Sequence, residues 1–167
     1  FCIHYRYETQ KAILTDIIAS LYAQGYRRLL IINGHGGNTF KSMIRDLSLD
    51  YPDFLIATSE WFTFIPAREY FDEPGDHADE LETSVMMHYH PELVDLSEAG
   101  DGKSKKFASQ MLNEKVAWVP RHWTRVTEDT GIGNPKKATA EKGKRYAEAV
   151  TAKYAQLFKE LTEEIYQ

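Results

Sequence analysis

Apolar positions along the chain alternate between helical and strand-like spacing. Between Glu8 and Gln24, six of them (Ile13, Leu14, Ile17, Ile18, Leu21 and Tyr22) recur one, four, five, eight and nine positions after the first. That spacing predicts one buried helix face, and Gly25 follows as a left-handed cap. Tyr26 to Asn33 holds the continuous apolar run Leu29–Ile32 and reads as a strand. Helical spacing returns with Phe40, Met43, Ile44 and Leu47, up to about Asp50, with Thr39 placed to cap it. Pro52-Asp53 marks a turn, and Phe54 to Thr58 is a second apolar strand. Strand, helix and strand with short connections form a βαβ unit, which predicts two parallel strands.

The pattern then breaks. Trp61 to Asp76 carries Trp61, Phe62, Phe64, Tyr70 and Phe71, together with Pro66 and Pro74, without a long period; it is either a loop packed on the core or one wall of a binding pocket. His77 to His90 reads as a helix with Leu81, Val85 and Met86 inward, stopped by Pro91. Residues 99–106 form a polar loop with two glycines. Val116–Val119 and Trp123–Val126 suggest two short strands. Gly131-Ile-Gly-Asn-Pro135 is a turn before a last helix from Lys136 to about Ile165, with Tyr146, Val150, Tyr154, Leu157, Phe158 and Leu161 on one stripe.

Composition narrows the class. A length of 167 residues, 43% of them apolar, suits a single domain covering residues 1–167. Net charge is −5 and no large basic block appears, so neither nucleic acid nor an anionic membrane is an expected partner. The lysines at 103, 105, 106, 136, 137, 142 and 144 read as a solvated face. No apolar run approaches the ~18 residues that span a bilayer. The lone cysteine, Cys2, permits no internal disulfide, which fits a reducing cytoplasm. Phe1 opens the chain inside an apolar stretch, and further sequence upstream is expected.

Two constellations carry candidate chemistry. Gly34-His35-Gly36-Gly37-Asn38 follows the first strand, so His35 sits at a carboxyl end, where open α/β sheets place ligands. Flanking glycines leave its imidazole free to turn, and adjacent N–H groups can receive an oxyanion. A phosphate loop would need a Walker lysine, and a hydrolase oxyanion loop would need a G-x-S-x-G elbow; neither is present. A metal-ligand histidine and a tight turn with a solvated histidine both remain open. The second constellation places Asp72, Glu73, Asp76, Asp79, Glu80 and Glu82 around His77. The helix dipole accounts for acids in a first turn, but it accounts less well for Glu82, which lies beside the apolar face. A divalent cation or a histidinium would neutralise Glu82. Amide hydrolysis near neutral pH favours such a cation, which lowers the pKa of bound water toward ~7, with a nearby histidine or carboxylate shuttling the proton. The other histidines, His4, His88, His90 and His122, have no comparable context and read as structural or exposed. These readings converge on one expectation: His35 and the acidic segment share one metal ion.

The blocks Ile31-Ile-Asn-Gly-His-Gly-Gly-Asn38, His77-Ala-Asp-Glu-Leu-Glu-Thr-Ser84, and Gly131-Ile-Gly-Asn-Pro135 followed by Ala138-Thr-Ala-Glu-Lys-Gly143 resemble the creatininase (creatinine amidohydrolase) family. The resemblance implies a three-layer α/β/α sandwich with a mostly parallel sheet. It also implies a divalent-metal hydrolase, often with two ions, that opens cyclic amides or cleaves formamides and peptide-like bonds. By it, His35 matches a metal ligand, Asp76-His77 an acid–histidine pair at the catalytic centre, and Glu82 an acid near the second metal or the substrate. Gly36, Gly37 and Asn38 would then bind substrate. Zinc or manganese, with iron possible, would serve as metal, the substrate would be a small amide, and the assembly would be a homo-oligomer, a hexamer by resemblance. Three departures stand out. Gly36-Gly37 replaces a Tyr-Glu pair whose glutamate binds metal in creatininase itself, so creatinine is not the implied substrate. Asp79 stands where relatives usually carry glycine. The family's N-terminal Glu, His and bridging Asp have no equivalent before His35, which implies that this chain is the C-terminal two-thirds of such a protein. A non-catalytic relative that binds a ligand or forms an oligomer, and nucleotide binding at the glycine loop, are the rival readings.

Overall fold

The computed structural model describes residues 3–166; Phe1 and Cys2, on which two expectations rested, lie outside the described residues. The chain divides into two compact units, one covering residues 65–159 and the other the residues on either side of it.

The first unit contains helix α1 (Tyr7–Ala23), strand β1 (Arg28–Asn33), helix α2 (Lys41–Asp50) and strand β2 (Leu55–Glu60). β1 and β2 are parallel, in register from Arg28 opposite Leu55 to Asn33 opposite Glu60, as the βαβ reading predicts. Leu14 and Ile18 of α1, Met43 and Leu47 of α2, and Phe54 and Ile56 form the core. Gly25, at φ +90°, ends α1: its N–H donates to Tyr22 O and that of Tyr26 to Leu21 O, the paired bonds of a Schellman cap. That cap engages the Tyr26 amide, so β1 starts at Arg28 rather than Tyr26. The apolar arc of α1 is wider than its contact face, and Ile13 and Ile17 remain 48% and 46% exposed. Thr39 makes no cap; Phe40 precedes α2 with no side-chain bond to its first turn.

The second unit holds α3 (Glu80–Tyr89), two one-turn helices, α4 (Gln110–Asn113) and α5 (Trp123–Val126), and α6 (Ala140–Glu160). Its core gathers Ile65, Phe71, Leu81, Ala138, Tyr146, Ala147, Val150 and Tyr154. The Phe71 and Tyr146 rings lie 5.3 Å apart, and Tyr70 meets Tyr146 edge-on at 5.4 Å. The aromatic segment is thus partly core packing.

Several expectations are corrected here. α3 turns Glu80, Leu81 and Ser84 inward, while Met86 is 40% exposed. The two strands expected at 116–119 and 123–126 are absent: Val116 and Trp118 are largely exposed, with no strand beside them among the described residues, and Trp123–Val126 closes a helical turn through Val126 N–H to His122 O. α6 begins at Ala140, not Lys136, because Thr139 caps it: the Thr139 hydroxyl accepts from Lys142 N–H at 3.2 Å. Ahead of it, Pro135–Lys137 is a separate 3₁₀ turn whose Lys136 N–H is held by Asn134 Oδ1. Phe158, expected inward, is 51% exposed. No helix among the described residues is long and apolar enough to cross a membrane.

Helices α3 and α6 touch backbone to backbone. A Cβ on Gly143 would stand 1.9 Å from Ser84 O, and the buried Ser84 hydroxyl accepts from Thr139 N–H at 3.2 Å. Gly143→Ala therefore has no low-energy relaxation and is expected to cost about 3 kcal/mol or more in chemical denaturation, the upper range for overpacking.

Candidate active site

The turn after β1 is built on Asn33, which is 2% exposed. Its Oδ1 accepts from His35 N–H and from Asn38 Nδ2, both at 3.1 Å. Asn38 N–H closes the turn on His35 O at 3.1 Å. Asn38, read from sequence as a substrate contact, thus has both its amide groups engaged in holding the loop. Gly36 and Gly37 are exposed, and their N–H groups have no hydrogen bond among the described residues; they stay available as donors. The His35 imidazole is exposed and folds back over its own loop: a Cβ on Gly37 would fall 2.7 Å from its Nε2. Phe62 lies beside Gly36, 3.6 Å from the equivalent position. Asn33 itself was missed in the sequence reading, where it looked like the last residue of a strand.

The acidic segment belongs to the second unit. Asp79 caps α3, its Oδ1 accepting from Glu82 N–H at 2.9 Å and its Oδ2 from Gly75 N–H at 2.6 Å. Glu82 reaches back, its Oε2 accepting from Ala78 N–H at 2.7 Å. This reciprocal arrangement is a variant of the capping box, and it explains Glu82 without a metal: its carboxylate is half-exposed and already bound at the positive end of the helix. Its other oxygen carries no hydrogen bond among the described residues. Between the caps, Ala78 adopts φ +48°, a left-handed conformation that L-residues enter at a cost of about 1–2 kcal/mol.

Asp76 does not pair with His77. It binds the Arg121 guanidinium, Oδ2 to Nη2 at 2.5 Å and Oδ1 to Nη1 at 3.5 Å. The carboxylate that faces His77 is Glu82, at 3.9 Å from Nδ1. Trp123 packs on the His77 ring, centroids 4.9 Å apart. The His77 backbone is fixed by an antiparallel bridge to Ile132, with N–H to O distances of 3.0 and 2.8 Å. Gly75 and Gly133 permit this approach: a Cβ on Gly133 would stand 2.6 Å from Asp79 Cβ, and one on Gly75 2.6 Å from Gly133 Cα. Arg121 and Trp123 carried no motif that would have marked them in sequence.

The remaining acids are structural. Glu80 is fully buried and bonds to Lys142 Nζ at 2.5 Å and to Glu73 N–H at 2.6 Å. Lys142 also holds Asp72 at 2.9 Å, so it departs from the solvated lysine face. Its hydrogen bonds to Glu80 and Asp72 raise its pKa above 10.5, and the bond from Lys142 holds Asp72 below 3.8. The hydrogen bond from Lys137 likewise lowers the Glu73 carboxyl from its ordinary range. Burial, aided by the charge of Asp79, pushes the Tyr146 hydroxyl up to about 12. Among the described residues, no three His, Cys, Asp or Glu side chains are grouped to hold a metal ion.

Comparison with known proteins decides the lineage. A family profile described as creatininase, creatinine amidohydrolase, matches residues 1–158. The chain belongs to the creatininase family. A candidate creatinine amidohydrolase of known crystal structure from Bacteroides fragilis NCTC 9343 is 62% identical, with a TM-score of 0.96 over 100% of this chain and 67% of that one. A Zn–Zn type creatininase mutant is 25% identical, with a TM-score of 0.75 over 95% of this chain and 65% of that one. The 3-dehydro-scyllo-inosose hydrolase of Thermotoga maritima is 25% identical over 90% of this chain and 55% of its own length. The mycofactocin precursor peptide peptidase of Mycobacterium ulcerans is 31% identical over 74% of this chain and 45% of its own. The chain thus spans about half the length of these two relatives. The creatininase α/β fold, with its parallel sheet, is the one expected from sequence.

The creatininase-family loop yields a direct test. Gly37→Ala meets only the movable tip of His35, so its stability is expected to stay within about 0.5 kcal/mol of the parent. The imidazole must swing away, which a changed His35 ring environment in NMR, at an unchanged Tm, would register.

Proposed function

We propose that the protein is an amidohydrolase that adds water across the C–N bond of a small amide, cyclic or formamide-like, releasing a carboxylic acid and an amine. One observation supports this most: in a creatininase-family chain, a half-exposed histidine, His77, stands on a rigid backbone with the Glu82 carboxylate 3.9 Å from its Nδ1. His77 takes a proton from the attacking water and returns it to the departing nitrogen, and Glu82 stabilises the imidazolium formed in between. Asp76 keeps the segment in place through Arg121. Within the first unit, taken by itself, the free N–H groups of Gly36 and Gly37 suit an oxyanion.

A divalent ion, zinc or manganese, is part of the proposal, since a solved relative is of the Zn–Zn type. When bound, such an ion polarises the carbonyl and acidifies water. In the first unit, the exposed His35 ring is a nitrogen donor of the kind such ions take; in the second, considered separately, the unbonded Glu82 oxygen is an oxygen donor. Catalytic zinc takes three protein ligands, and the described residues of neither unit reach that number, so these side chains alone do not fit a metal centre. The chemistry carried by this chain is the proton relay at His77. The second reading is a non-catalytic relative that binds an amide without cleaving it.

Assays against cyclic amides, formamides and short peptides separate the two. The hydrolase reading predicts turnover that falls about 10²–10⁴-fold in His77→Ala, the usual range for a lost acid–base group. Turnover that survives a chelator would rest on the His77 relay alone, whereas turnover removed by a chelator and restored by zinc or manganese would require donors besides His35 and Glu82. A metal-free protein that binds an amide and leaves it intact would favour the second reading.

A further inference from the structure

Nothing that hydrogen-bonds to its ring holds His77 in one orientation. Its imidazole makes no hydrogen bond among the described residues, and Glu82, at 3.9 Å, is beyond hydrogen-bond reach. The backbone is fixed by Ile132, yet a backbone bridge leaves the two side-chain torsions free, and a half-exposed imidazole samples several rotamers. The contact that restricts the ring is Trp123, tilted at 58° with its centroid 4.9 Å away. Trp123 is braced in turn: the Arg121 guanidinium lies 4.9 Å over its ring, in cation–π range. The same guanidinium forks onto both oxygens of Asp76, the residue before His77. One short segment, 121–123, therefore touches the histidine twice, through its ring and through its neighbour. The turn of α5 fixes that segment, with Arg125 N–H donating to His122 O at 2.9 Å and Val126 N–H at 3.1 Å.

We propose that Arg121 and Trp123 are positioning residues that set the orientation of the His77 imidazole, Trp123 as the wall it rests on and Arg121 as the clamp joining that wall to Asp76. The assignment builds on the hydrolase reading of His77 and reaches beyond it, because it makes the 121–123 segment a determinant of turnover without placing it on the substrate. A positioning role is felt in the transition state more than in ground-state binding. Loss of the wall should lower kcat and leave KM nearly unchanged, whereas a substrate-binding tryptophan would raise KM.

The test compares the intact protein with Trp123→Ala, Trp123→Phe and Arg121→Lys, using NMR order parameters of the isotope-labelled His77 ring alongside steady-state kinetics and thermal melts. Trp123→Ala is expected to release the ring and lower kcat by about ten- to a hundredfold, the scale of a misplaced catalytic group, with KM within twofold. Trp123→Phe, which keeps a flat face, should recover most of both. Arg121→Lys, which cannot fork onto Asp76, should fall between. If Trp123→Ala does not fold, Trp123→Leu supplies bulk without an aromatic face and is expected to behave as the alanine variant should. A His77 ring equally ordered without the aromatic face would overturn the proposal, as would a rise in KM with kcat unchanged. Ring order is measured without turnover. A wild-type protein that cleaves no amide but frees its His77 ring in Trp123→Ala would sink the hydrolase reading and support this one.

Discussion

A single buried charge at the start of one helix organises the second unit. Glu80 has no exposed surface, and an isolated carboxylate at such a position would cost several kcal/mol. It is tolerated because Lys142 of α6 brings its ammonium to 2.5 Å and the Glu73 amide donates from the other side. That pair ties α6 to the first turn of α3, and the residues just before that turn carry the chemistry. Around it, the Gly143–Ser84 contact brings the two helices to backbone distance, and the Asp79 cap with the Glu82 return bond fixes the chain just ahead of α3. His77 inherits its backbone position from this frame and its ring position from Trp123.

The first unit solves the same problem with a neutral group. A glycine-rich turn would be floppy, since glycine loses more backbone freedom on folding than any other residue. Asn33 counters this with one carbonyl oxygen that receives two donors, His35 N–H and Asn38 Nδ2. Both devices place a histidine on a short irregular segment whose backbone is held by buried polar side chains, while the imidazole itself stays accessible. In both, polar burial specifies geometry where apolar packing could not, because hydrocarbon contacts are non-directional.

The sequence made legible what depends on spacing and on glycine. The βαβ unit, its parallel pairing and the cap at Gly25 followed from periodicity and from the one residue type suited to φ +90°. The glycine blocks at 131–135 and 143 stood out as motifs, and the structure supplies their reason: Gly133 and Gly143 each lie where a Cβ would strike a neighbour. What escaped notice depends on partners distant in sequence. Hydropathy placed Met86 inside and could not see that Glu80 and Ser84 take the buried positions, because only Lys142 and Thr139, some sixty residues on, make them tolerable. Likewise, Asp76 looked like the partner of its neighbour His77 until Arg121 claimed it, and Glu82 looked like an unexplained charge until its backbone bond appeared. Adjacent residues were paired by proximity along the chain, whereas the fold pairs them across forty-five and sixty-two positions.

The Glu80–Lys142 pair holds the frame on which His77 stands, and a double-mutant cycle on folding stability tests this most directly. Lys142→Met alone should cost about 3–5 kcal/mol by leaving a buried carboxylate unpaired, and adding Glu80→Gln should recover a large part of that loss. Substitutions that instead prove additive to within about 0.5 kcal/mol, each with a small effect, would contradict the account.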